Sequence, residues 1–150
     1  MDTHDYSALT EFTGLKTATF RLWQTTRPDY LAFMQQGLIL VDLLDMETLE
    51  QLLSVRSYSE MEALLGTPCG YYQQVGLKRS TAMDWGKTPA RTAQLCLMLL
   101  GGMATELSHY IDPVTQIKPL SRKSGLDLLD LAFLLFHRPE ALSRLLHKLG

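Results

Sequence analysis

Gly14-Leu15-Lys16-Thr17-Ala18-Thr19-Phe20-Arg21-Leu22-Trp23 and Gly76-Leu77-Lys78-Arg79-Ser80-Thr81-Ala82-Met83-Asp84-Trp85 share one frame, Gly-Leu-Lys and then, after six residues, Trp, at a constant offset of 62 residues. The frame reads as a joint between two helices. Glycine permits the positive φ with which a first helix stops sharply. The leucine that follows, Leu15 or Leu77, plugs the space between the helices. In the second helix Phe20 and Trp23 stand three apart, as do Ala82 and Trp85, so each pair shares an inward face. Trp23 and Trp85 are therefore expected as core anchors. The remaining positions point outward: Lys16, Thr17, Ala18 and Arg21 in one copy, and Lys78, Arg79, Ser80 and Asp84 in the other.

The flanking sequence is helical on both sides. Helices are expected over 5–13 and 17–25. Pro28 then suits the first turn of a long helix reaching 44 or 46, because the N–H it lacks is one that a helix start leaves unpaired anyway. Leu31, Phe33, Met34, Leu38, Ile39, Leu40 and Val41 make that helix apolar on more than one face, which predicts burial or a subunit contact. A helix over 47–54 follows, then a capping-box pattern, Ser57 to Glu60, opening another that Gly66-Thr67-Pro68 breaks. In the second copy, helices over 69–75 and 79–85 lead to Thr88-Pro89, an N-cap and first-turn pair for a helix over 90–110. Gly101-Gly102 marks a kink or an interruption in it. Residues 112–123, with Pro113 and Pro119, read as a loop, and the prolines argue against a strand over 114–118. Ser124 is expected to cap an apolar helix over 126–136, and Pro139 to open an amphipathic one through 148. The fold class is all-α, an orthogonal helical bundle containing two helix-turn-helix-like units. Its parts are 1–66, 67–111 and a C-terminal helical pair, 112–150, packed on the same core or at a dimer contact.

The 150 residues are 46% hydrophobic, as a packed domain requires, and carry a formal net charge of −2. That balance excludes a protein that coats nucleic acid. It leaves room for sequence-specific binding, which depends on the charge of one face. Basic residues concentrate on the two copies: Lys16, Arg21 and Arg27 in the first, and Lys78, Arg79, Lys87 and Arg91 in the second. Between the copies, Asp42, Asp45, Glu47, Glu50, Glu60 and Glu62 face only Arg56, and read as a solvated acidic face.

Cys69 and Cys96 have no zinc or redox spacing and are expected as reduced thiols. The polar N-terminus is no signal peptide, and the apolar run over 93–104 is too short to span a bilayer, so a cytoplasmic location is expected. Glu106 and His109 have the spacing of half a di-metal carboxylate site, without the second half such a site needs. There is no phosphate-binding glycine loop, nucleophile elbow or HExxH motif. No catalytic residue, metal or cofactor is expected.

Both copies resemble helix-turn-helix units of the Cro and phage-repressor type. The second also resembles phage and plasmid regulators in which Gly-Leu-Ser-x-x-Thr leads to a Trp, a short Gly-x-x-Pro loop and another helix; here these are Gly76-Leu77-Lys78-Arg79-Ser80-Thr81, Trp85 and Gly86-Lys87-Thr88-Pro89. Leu9 and Tyr71 fill an apolar position of the pattern and Val75 another, whereas Thr13 and the bulky Tyr72 depart from it. The resemblance implies a small DNA-binding transcriptional regulator of phage or mobile-element origin, with double-stranded DNA as partner and a homodimer to read two half-sites. The DNA-binding residues would be Lys78, Arg79, Ser80, Lys87 and Arg91, with Lys16, Thr17 and Arg21 in a first unit that either binds similarly or serves as a structural or dimer element. The alternative is a protein-interaction adaptor or inhibitor that uses the helices only as scaffold; near-neutral charge and the acidic centre favour it.

Overall fold

The computed structural model describes residues 5–42, 44–66, 71–110, 112 and 115–149. Among them the chain is all-helical, with no strand: α1 Ser7–Thr13, α2 Thr17–Thr26, α3 Pro28–Val41, α4 Met46–Ser54, α5 Tyr58–Leu65, α6 Tyr71–Gln74, α7 Arg79–Gly86, α8 Pro89–Leu107, α9 Ile117–Ser124, α10 Leu128–His137 and α11 Pro139–Leu149. The repeated frame gives the same backbone twice. Gly14 has φ 77° and Gly76 φ 79°. Lys16, before α2, has φ −78° and ψ 149°, and Lys78, before α7, has φ −76° and ψ 150°. A left-handed residue with an extended one two positions later turns the chain between helices, and the left-handed one is glycine because it carries no Cβ. Thr13 departs from the pattern usefully: its hydroxyl donates to the Leu9 carbonyl at 2.7 Å and accepts the Leu15 N–H at 3.2 Å, bridging the turn.

Helices α3 and α8 form the centre, and a reciprocal contact joins them. A Cβ added to Gly37 would lie 2.9 Å from the Leu97 carbonyl carbon, and one added to Gly101 would lie 2.5 Å from that of Phe33. Each glycine thus sits on the residue four positions before the other glycine. The buried Tyr30 hydroxyl donates to Gln94 at 3.3 Å, across a separation of 64 residues that also relates Gly37 to Gly101 and Phe33 to Leu97. The contact between α3 and α8 is therefore reciprocal, with positions 64 apart playing equivalent parts. Leu31, Met34 and Leu40 of α3 and the run Leu95–Leu100 of α8 are buried around it. A chain of aromatic contacts, Tyr6–Phe20–Trp23–Tyr30–Trp85, passes from one copy to the other with centroid spacings of 5.6, 5.7, 5.3 and 5.9 Å.

Several expectations are corrected. Gly101-Gly102 does not interrupt α8; the pair admits Phe33 and the Tyr71 ring. Within the expected loop, 117–124 form α9. Pro119 is its third residue, in the first turn, where a missing N–H costs no helical hydrogen bond. Ser124 is the last residue of α9, not a cap. The next helix is opened by Asp127, whose carboxylate accepts the Asp130 N–H at 2.9 Å while Asp130 accepts the Asp127 N–H at 3.2 Å. Helix α3 stops at Val41, short of 44. The acidic stretch is not wholly a solvated face, since Glu62 is only 3% exposed on the inner side of α5. Ser57 does cap α5, accepting the Glu60 N–H at 3.3 Å. Tyr72 is bulky but buried, meeting Tyr58 of α5 edge-on at 5.8 Å. Cys96 is buried and free, while Cys69 lies outside the described residues. No helix of the described residues is long and apolar enough to cross a membrane.

Candidate nucleic-acid interface

In the second copy, α7 turns Ala82 and Gly86 inward, both buried, and holds Trp85 half-buried against the core. This fixes the opposite face. Lys78, Arg79 and Ser80 are exposed at the start of the helix, whose first turn has no acidic residue. Lys87 is exposed just past its end, where its N–H donates to the Asp84 carbonyl at 3.1 Å. Asp84 is also exposed, four residues after Ser80 and three before Lys87, so it sets one negative charge on their face. Arg91 sits elsewhere. It is half-buried with its guanidinium 4.1 Å from the centroid of the Trp85 ring.

In the first copy Lys16 and Arg21 are exposed and Thr17 is half-buried. Leu22, beside Arg21, is 59% exposed, which gives the outer face of α2 an apolar element that α7 lacks. Tyr30 touches both Trp23 and Trp85, so one ring separates the two indoles. Helices this close lie far short of the ~34 Å between successive major-groove half-sites. The geometry does not bring Lys16, Thr17 and Arg21 together with Lys78, Arg79 and Ser80 as two independent readers.

One residue that sequence reasoning missed is Arg27. It joins α2 to α3: its N–H donates to the Trp23 carbonyl at 2.9 Å, and its carbonyl accepts the Leu31 N–H at 3.0 Å. Its guanidinium lies 5.2 Å from the Trp85 centroid, so Arg27 and Arg91 share one indole. Both lie near the Tyr30 phenol. Burial pushes that group well above the ordinary tyrosine range, and the two positive charges oppose the rise. The position before a proline marks Arg27 as a junction residue, but no local pattern points it at a tryptophan of the other copy. Among the described residues, no group of three His, Cys, Asp or Glu side chains is placed to hold a metal ion.

Comparison of the chain with known protein families, with curated proteins and with solved structures finds no match.

Proposed function

We propose that the protein is a DNA-binding regulator that offers the first turn of α7 to the major groove of duplex DNA. The observation that carries this reading is the display of Lys78, Arg79 and Ser80 on a helix start held by the Gly76 turn, over a face anchored by Ala82 and Trp85. The N-terminal residues of a recognition helix are the ones that meet base edges. Lysine and arginine supply the phosphate contacts and the salt dependence, and an arginine forks onto guanine. One copy reads, and α2 serves as architecture, because the two helices are too close to serve two half-sites. A second half-site then calls for a second chain. The C-terminal helices, where Phe133 is 53% exposed on α10, are the proposed dimer contact.

The test is fluorescence anisotropy with random duplex DNA and with a genomic fragment pool across a salt series. Binding should weaken linearly in log–log form. Lys78→Glu with Arg79→Glu should lower affinity by about tenfold or more and reduce the salt slope by roughly two. A folded protein with no salt-dependent binding overturns the reading.

One observation favours the adaptor reading. Met46 is 69% exposed at the start of α4 beside exposed Asp45, Glu47 and Glu50, an apolar tip in an acidic setting of the kind a basic protein partner fits.

A further inference from the structure

A cleft of about 550 Å³ lies between the two copies. One wall is the α2–α3 junction, Thr26, Arg27 and Asp29; the other is the turn into α7, with Gly76, Lys78 and Thr81. We propose that this cleft is a phosphate-binding site, with Arg27 and Lys78 as its charged groups and Arg91 adding to the positive potential from the shared indole.

Three observations converge on it. First, Arg27 is held before any ligand arrives. Its backbone is hydrogen-bonded in both directions as the residue between α2 and α3, and its guanidinium lies over Trp85. A planar fork held against a ring needs little further ordering to donate two hydrogen bonds to an oxyanion. Second, Arg27 and Arg91 bring two positive charges to one ring, and among the described residues neither lies within ion-pairing distance of a carboxylate. Like charges gathered at one ring repel, and an anion beside them lowers that cost. Third, Lys78 and Thr81 line the same cleft, and their side chains are of the donor types, an ammonium and a hydroxyl, that bind oxyanions. Asp29 is the acidic residue of the lining, and it does not neutralise Arg27 and Lys78 together. Phosphate suits this donor set better than a carboxylate ligand, because it has more acceptor oxygens and more charge to share among an arginine, a lysine and a hydroxyl.

The proposal stands independently of the DNA reading. The phosphate belongs either to a DNA backbone or to a soluble phosphate compound, and the test separates these. The chain has two tryptophans, so Trp23→Phe leaves Trp85 as the sole indole reporter. Inorganic pyrophosphate is titrated against its emission, with sodium chloride at matched ionic strength as control. Calorimetric titration of the unaltered chain gives the same constant without any substitution. Saturable binding of pyrophosphate, weakened about tenfold in Arg27→Gln and severalfold in the surface variant Lys78→Gln, supports the site. A response equal to that of chloride, or affinity unchanged in both variants while circular dichroism shows them folded, overturns it. Where pyrophosphate binds and duplex DNA does not, the site takes a soluble phosphate and the DNA reading alone fails. Where both bind, and Arg27→Gln lowers the DNA salt slope by about one, the site holds a backbone phosphate. Where DNA binds with an unchanged slope and pyrophosphate does not bind, the site fails and the DNA reading stands.

Discussion

Replacing Gly101 by alanine sets two effects of opposite sign against each other. In an isolated or exposed helix the change is favourable by about 1 kcal/mol, because alanine loses less backbone freedom on folding. Here the new methyl carbon would fall 2.5 Å from the Phe33 carbonyl carbon and 2.8 Å from its Cα, where ordinary contact begins at 3.4 Å. Those atoms are backbone and cannot rotate aside, so α3 and α8 must part. A gap of about 1 Å forfeits roughly a quarter to a half of each dispersion contact it opens. Overpacking of this kind costs about 1–3 kcal/mol, and the rigid neighbour puts this site at the upper end. The net expectation is destabilisation by about 2 kcal/mol, which lowers Tm by roughly 4–8 °C for a chain of this size. Gly37→Ala should behave alike, since its Cβ meets Leu97 backbone in the same way. The double variant should lose less than the two single losses together, because one separation of the helices relieves both clashes. Thermal and urea denaturation followed by circular dichroism measure all three. A rise in Tm for Gly101→Ala would mean that helix propensity alone governs the site, and would refute the close contact.

Two further predictions use other parts of the fold. Burial pushes the Cys96 thiol up to about 12, so Cys96 should resist maleimide in the folded protein near neutral pH and react only through unfolding. Mass spectrometry of its peptide checks this, and labelling as fast as in denaturant counts against the buried placement. Asp45 is held below the usual carboxylate range by hydrogen bonds from Thr48 at the start of α4. Its contribution is therefore present above the ordinary value of 3.8 and is lost as pH falls through the lowered one. The stability gap between the wild type and Asp45→Ala should close on acidification, and a gap that is constant with pH would show that the carboxylate does not cap α4.

The features legible in the sequence rest on interactions within a few residues. The turns at Gly14 and Gly76, the inward pairs Phe20–Trp23 and Ala82–Trp85, and the cap at Ser57 all follow from local spacing, and the structure has each of them. The misread segments fail for identifiable reasons. Pro119 reads as a breaker in the sequence, although a first-turn proline breaks nothing. Gly101-Gly102 reads as a weak point, because two adjacent glycines look alike whether they bend a helix or admit a neighbour. Of the candidate site, exposed Lys78, Arg79 and Ser80 could be placed from helical periodicity, whereas Arg91, counted among the DNA-binding residues, lies half-buried against Trp85.

The sequence by itself therefore determined an all-helical chain, a duplicated frame with a glycine turn before a helix, and the side of each of those helices that faces in, because backbone hydrogen bonding and periodicity act over one or two turns. Only the tertiary structure decided that the two copies meet through Gly37 and Gly101, that Arg27 and Arg91 converge on one indole, and that a cleft opens between the α2–α3 junction and the turn before α7. Those features join residues some sixty positions apart, and steric fit between helices, which no local pattern encodes, selects which of them come together.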